Sequence, residues 1–157
     1  MVKKSLLKPA SKNILESDAK LIQQAQAVRL LAYAPYSNFY VGAALQAKNG
    51  QIFLGNNVEN RSYGLTICAE RNAVAQAVAV GVRDFERIVI ATNLQDPAPP
   101  CGACREVLSE FCQDLEVILV GQKNRVVVYR LADLLPHHFV LSKSKKNVVK
   151  KKSAKLR

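Results

Sequence analysis

Residues 66–71, Thr66-Ile67-Cys68-Ala69-Glu70-Arg71, and residues 100–104, Pro100-Cys101-Gly102-Ala103-Cys104, decide how this chain is read. Each stretch opens a helical segment that follows a β-rich one. The first sets a thiol two residues ahead of a carboxylate, and the second adds a Cys-x-x-Cys pair. If both helices begin at the same edge of one sheet, Cys68 meets Cys101 and Cys104 at helix N-termini. There the free N–H groups and the helix dipole stabilise thiolates. Three protein ligands leave one tetrahedral position open, which is the catalytic arrangement for zinc, and Glu70 beside it is a proton carrier.

The rest of the chain supplies the sheet. Ser17 is positioned to cap a first helix with Leu21, Ala25, Val28 and Ala32 on one face, and Pro35 blocks its continuation. Phe39 to Ala47 reads as a strand, Asn49-Gly50 as a hairpin turn and Gln51 to Gly55 as the returning strand. After a loop from Asn56 to Leu65, Thr66 is the expected cap of a second helix running to about Val80. Ala69, Ala73, Ala77 and Val80 form its stripe, and Gly81 is its stop. Arg87 to Thr92 is a buried-type strand, and a Pro-rich loop over Asp96–Pro100 leads into a third helix with Cys104, Val107, Leu108 and Phe111 on one face. Glu116–Val120 and Arg125–Arg130 are joined too tightly to be anything but antiparallel, and Asp133–Pro136 reads as a closing turn. The expected fold is α/β: a mixed five-stranded sheet with helices packed on it. Right-handed crossovers place the second and third helices on the same face.

Bulk properties narrow the class. A chain of 157 residues with 49% apolar content is sized for one domain with its own core. No apolar run reaches the roughly 20 residues that span a bilayer, and Met1–Lys8 has charge but no apolar stretch after it, so a cytoplasmic protein is expected. Three of the four cysteines stand in ligand spacing, which favours a reducing compartment over disulfides. The formal charge of +11 is concentrated at the ends. Residues 143–157 carry eight basic side chains, and Lys3, Lys4, Lys8 and Lys12 carry four more. The span between holds 11 basic and 12 acidic residues, so nothing in it demands a polyanionic partner. The expected organisation is a flexible N-terminal arm (1–15), a catalytic domain (16–142) and a basic disordered tail (143–157). Such a tail binds nucleic acid weakly and non-specifically.

Each candidate has a plainer alternative. A structural zinc needs a fourth Cys or His, but Cys112 lies two turns beyond Cys104, where a small core residue suffices, and His137 and His138 fall in a C-terminal loop. Glu70 could be a first-turn acid that suits the dipole, and Arg71 an exposed helix arginine. Beside three thiolates, however, Arg71 offsets a net negative charge on the metal complex.

Beyond the two zinc stretches, the chain carries Tyr36-Ser37-Asn38-Phe39-Tyr40-Val41-Gly42-Ala43-Ala44, Asn57-Val58-Glu59-Asn60, and Leu134-Leu135-Pro136 with Phe139. Taken in order from about Ser17 to Phe139, these motifs closely resemble the small, homotetrameric, three-cysteine cytidine deaminases, zinc enzymes with the ligand-x-Glu…Pro-Cys-x-x-Cys signature. The resemblance implies one zinc per chain on Cys68, Cys101 and Cys104, with Glu70 as the catalytic acid–base. It implies Phe39 against the pyrimidine ring, Asn57 and Glu59 on the ribose hydroxyls, and the Ala69 N–H at the pyrimidine O2. Phe139 then matches an aromatic given to a neighbouring subunit's site, and Tyr63 lies in a loop used at subunit contacts. Arg61 and Tyr40 depart from the family pattern, which usually has a small residue and proline there; the Lys-rich tail lies outside it.

The implied reaction is hydrolytic deamination of cytidine and 2′-deoxycytidine in pyrimidine salvage. Water activated at the metal adds to C4, and Glu70 moves its proton to N3 and then to the departing ammonia. Two rivals are a blasticidin-type deaminase, which the Asn57-x-Glu59 pair argues against, and a polynucleotide-binding or editing deaminase that uses the basic tail. The latter lacks a basic stripe in the core. A purely structural zinc module ranks third.

Overall fold

The computed structural model describes residues 16–141. The expected N-terminal arm and basic tail lie outside the described residues. The elements run α1 (Glu16–Arg29), β1 (Val41–Ala47), β2 (Ile52–Asn56), α2 (Ala69–Ala79), β3 (Phe85–Thr92), α3 (Gly102–Ser109), β4 (Glu116–Val120), β5 (Val126–Arg130) and α4 (Leu131–Leu134).

The five strands form one sheet in the order β2-β1-β3-β4-β5. β1 is antiparallel to both β2 and β3, β3 is parallel to β4, and β4 is antiparallel to β5. The mixed sheet is therefore as expected. Because β1 opposes both neighbours, β2 and β3 point the same way and end at the same edge. That edge is where the chain enters α2 and α3.

The pleat sorts the core into two layers. Ala43, Leu45, Ile88, Ile90, Val117 and Leu119 face one way and pack with Ala69, Ala73 and Ala77 of α2 and Leu108 of α3. Ala44, Val89, Ala91, Ile118 and Val120 face the other way, onto Leu21, Ile22 and Ala25 of α1. Strands buried on both sides explain the unbroken apolar runs read from the sequence. α1 is also tied to β3 by a partly buried ion pair, Arg87 Nη1 to Asp18 Oδ1 at 2.6 Å.

α2 lies unusually close to the sheet. A Cβ on Gly55 would overlap Ala69 O and come within 2.6 Å of Ala73 N, so only glycine fits where β2 passes beneath the helix. Its Ala69/Ala73/Ala77 stripe is the complementary small surface. Gly81, at φ 85°, ends this segment as expected.

Several local expectations are corrected. Ser17 lies inside α1 (Glu16–Arg29) rather than ahead of it, and Ala32 falls beyond its end. Phe39 and Tyr40 precede β1, Gln51 lies outside β2 and Arg125 lies outside β5, whereas β3 gains Phe85 and Glu86. Cys68, not Thr66, is the N-cap of α2, because the Thr66 hydroxyl accepts the Asn60 N–H at 3.2 Å instead. Val80 is exposed, since the helix ends before its side chain can reach the sheet. Asp133–Pro136 is no simple turn: Asp133 and Leu134 belong to the short helix α4, which buries Leu131 and Leu134.

Candidate metal and nucleoside site

Cys68 and Cys101 are the N-cap residues of α2 and α3, and Cys104 lies in the first turn of α3. Their sulfur atoms all fall within 4.8 Å of one another. Cys68 Sγ and Cys101 Sγ are 3.8 Å apart, and Cys101 Sγ and Cys104 Sγ are 3.5 Å apart. Three sulfurs on one tetrahedral zinc, with Zn–S near 2.3 Å, stand roughly 3.8 Å from each other, so the donor set fits that ion. A hydrogen bond from the Cys104 thiol, with help from Arg71, brings the Cys68 thiol down to about 5 against its partial burial. The same bond and its burial push Cys104 upward. Arg71 is anchored by Nη2 to Thr66 O at 2.8 Å, and the same nitrogen lies 3.8 Å from Cys68 Sγ.

Glu70 is 4% exposed, in the first turn of α2. Burial foremost, with the Cys68 thiolate adding to it, pushes its carboxyl up to about 7 against the opposing pull of its own backbone N–H. A cavity of about 190 Å³ opens above this point. Cys68, Ala69, Glu70 and Cys101 form one side of it, and Phe39, Asn57 and Glu59 are on its wall. The Ala69 N–H, in the first helical position, has no acceptor within its own helix.

The wall residues are held by hydrogen bonds around the chain before β1. Asn57 is buried; its Oδ1 accepts the Val41 N–H and its Nδ2 donates to Phe39 O, both at 2.8 Å. That leaves the second Nδ2 proton available to the cavity. Glu59 Oε2 accepts the Tyr36 and Ser37 N–H groups at 2.9 and 3.3 Å, and Oε1 accepts the Ser37 hydroxyl. The Ser37 hydroxyl foremost, with these N–H groups, holds the Glu59 carboxyl below the usual carboxylate range.

Seven of the residues singled out in the sequence therefore surround one cavity, with Cys104 and Arg71 directly behind it. Phe139 does not join them: it is 72% exposed, its N–H donating to Glu106 Oε1 at 3.2 Å. The cavity also has walls that sequence patterns did not reveal, namely Val41, Thr66, Ile90, Thr92, Ala98 and Pro99. Thr92 had a signal, as a polar residue closing an apolar strand at the sheet edge where sites form. Ala98 and Pro99 had none.

Comparison with known proteins gives the same picture. The family model described as "Cytidine and deoxycytidylate deaminase zinc-binding region" matches residues 15–120. A cytidine deaminase of Sporosarcina psychrophila is 45% identical over 121 residues, covering 76% of this chain and 89% of that protein. A probable cytidine deaminase of Dictyostelium discoideum is 47% identical over 121 residues, covering 76% and 82%. The crystal structure of cytidine deaminase from Burkholderia pseudomallei matches with a TM-score of 0.75 at 48% identity, covering 77% of this chain and 98% of that one. The chain belongs to the cytidine and deoxycytidylate deaminase zinc-binding family.

Proposed function

We propose that this chain is a zinc-dependent cytidine deaminase, converting cytidine and 2′-deoxycytidine with water to the uracil nucleosides and ammonia. The observation that carries this reading is the meeting of three cysteine sulfurs and the buried Glu70 on one side of a cavity whose wall holds Phe39, Asn57 and Glu59. Zinc, when held by Cys68, Cys101 and Cys104, supplies the Lewis acidity that makes a water nucleophilic near neutral pH.

The protein's own groups do the rest. Glu70 takes one proton of that water and delivers it to N3 of the base, where it stays; it then carries the second, from the hydroxyl added at C4, to the amino group, which leaves as ammonia. Arg71 offsets the negative charge of the thiolates. Phe39 packs on the pyrimidine ring, and the Ala69 N–H meets its O2. Asn57 and Glu59 engage the ribose hydroxyls; a carboxylate beside a neutral amide suits a sugar and repels a phosphate, so the substrate is a nucleoside rather than a nucleotide.

The active form in this reading is a homotetramer, with Phe139 reaching a neighbour's site. Supporting this, Tyr33, Tyr63 and Leu65 are exposed apolar groups around the loop beside the cavity, and Phe139, Val140 and Leu141 are exposed as well. No described helix is long and apolar enough to cross a membrane; a cytoplasmic role in pyrimidine salvage is part of this reading. Residues 143–157 add weak, salt-sensitive affinity for polyanions.

The test is an absorbance assay against cytidine, deoxycytidine, CMP and blasticidin S, with zinc analysis and sizing of the same sample. Turnover of both nucleosides, with CMP and blasticidin S poor, is expected. Preference for CMP or blasticidin S would overturn the substrate reading.

A further inference from the structure

We propose that Asn93, which does not line the cavity, is the positioning residue that holds Phe39 at the cavity wall; this rests on the nucleoside deaminase reading above. Asn93 is the first residue after β3 and brackets Phe39 from both sides. Its Oδ1 accepts the Tyr40 N–H at 3.0 Å, its Nδ2 donates to Asn38 O at 2.9 Å, and its own N–H donates to Tyr40 O at 3.3 Å. On the cavity side, Asn57 Nδ2 donates to Phe39 O. Phe39 therefore sits between two asparagines, of which only Asn57 faces the substrate.

The segment needs this restraint. Asn38 is left-handed, at φ 55°, a conformation that non-glycine residues hold only when their surroundings fix it. Phe39 and Tyr40 precede the ladder of β1, so sheet pairing does not fix them. Ser37 Oγ accepts the Phe39 N–H at 3.0 Å, Asn93 supplies the partners of the residues on either side, and its own carbonyl is held by Gln122 Nε2 at 2.7 Å from the β4–β5 connection. A line of hydrogen bonds thus runs from that connection to the aromatic ring expected to pack on the base. None of these Asn93 hydrogen bonds reaches a cysteine of the cluster or Glu70, so its effect falls on substrate binding.

The experiment measures Asn93→Ala, Phe39→Ala and the double variant with cytidine, together with zinc content and amide exchange of residues 38–41. Asn93→Ala loses two side-chain hydrogen bonds, and KM should rise roughly tenfold with kcat little changed. Zinc content should stay at the wild-type level. Acting only through Phe39, the substitution should add almost nothing in the Phe39→Ala background. Asn93→Asp, which keeps the acceptor for Tyr40 but loses the donor to Asn38, should fall between wild type and Asn93→Ala and serves if the alanine variant folds poorly. Full additivity of the two substitutions, or unchanged exchange at 38–41, overturns the proposal. Faster exchange there in Asn93→Ala supports the positioning role even if the wild type is inert on cytidine, a result that would sink the substrate reading alone.

Discussion

The Arg71 guanidinium rests 3.8 Å from the Cys68 sulfur, one turn along the same helix, and is pinned there by the Thr66 carbonyl. Because Cys68 is the cap of α2, helical spacing itself carries Arg71 back over the sulfur. The cluster thus has a fixed positive neighbour before any metal binds. Arg71→Gln keeps a hydrogen-bond donor but removes the charge. It should weaken zinc retention or activity by about 10–100-fold, as loss of a group supporting the ligands does. Competition with a chelator would show it, and wild-type zinc affinity and rate would exclude the charge-balancing role.

Glu70→Gln isolates the proton carrier. The amide has nearly the same shape, so the cavity and the three sulfurs should be undisturbed. Turnover should fall by about 10²–10⁴-fold, the range for a general acid–base group. Zinc content and melting temperature should stay near wild type. A variant that keeps more than a small fraction of the rate would remove Glu70 from the proton path.

The sheet was legible because β3 and β4 are buried on both faces and read as unbroken apolar runs. The thiol cluster was legible because Cys68, Cys101 and Cys104 sit at two helix starts, and strand direction brings those starts together. What escaped has local causes. Thr66 is as good a cap by composition as any residue, yet a loop contact with Asn60 claims its hydroxyl, and Cys68 takes the cap. Phe39 and Tyr40 look like strand, but the left-handed Asn38 and the hydrogen bonds of Asn57 and Asn93 hold them outside the ladder. A four-residue helix such as α4 is too short to show a period. Ala98 and Pro99 become cavity wall only through the path of a loop that no pattern specifies.

The charge on Glu59 is tied to Ser37. The Ser37 hydroxyl is the largest cause holding that carboxyl below its ordinary value. Its charge, and the tie to the 36–37 backbone, are present above the lowered value and are lost as pH falls through it. Ser37→Ala removes the main cause, so Glu59 should protonate at higher pH than in the wild type. A carbon-13 titration of Glu59 should show its midpoint moving upward, and KM for cytidine should begin to rise at a less acid pH. A midpoint that does not move would show that the backbone N–H groups alone set it.

The close passage of β2 under α2 makes Gly55 a test of how the site is built. A side chain there would overlap Ala69 O and Ala73 N, backbone atoms that cannot swing aside as a side chain could. In Gly55→Val, α2 must lift from the sheet at its first turns. Those turns carry Cys68 at the cap and Glu70, whereas Cys101 and Cys104 ride on α3 and stay behind. Overpacking of this kind costs about 1–3 kcal/mol or more, so the melting temperature should drop. Zinc affinity should drop with it, because one of three sulfurs is displaced from the other two. Added zinc should then recover part of the lost stability, as any ligand that binds only the folded form does. Full zinc occupancy and an unchanged melting temperature in Gly55→Val would mean that α2 can move without taking the cluster apart, and the account of how the cysteines are brought together would fall.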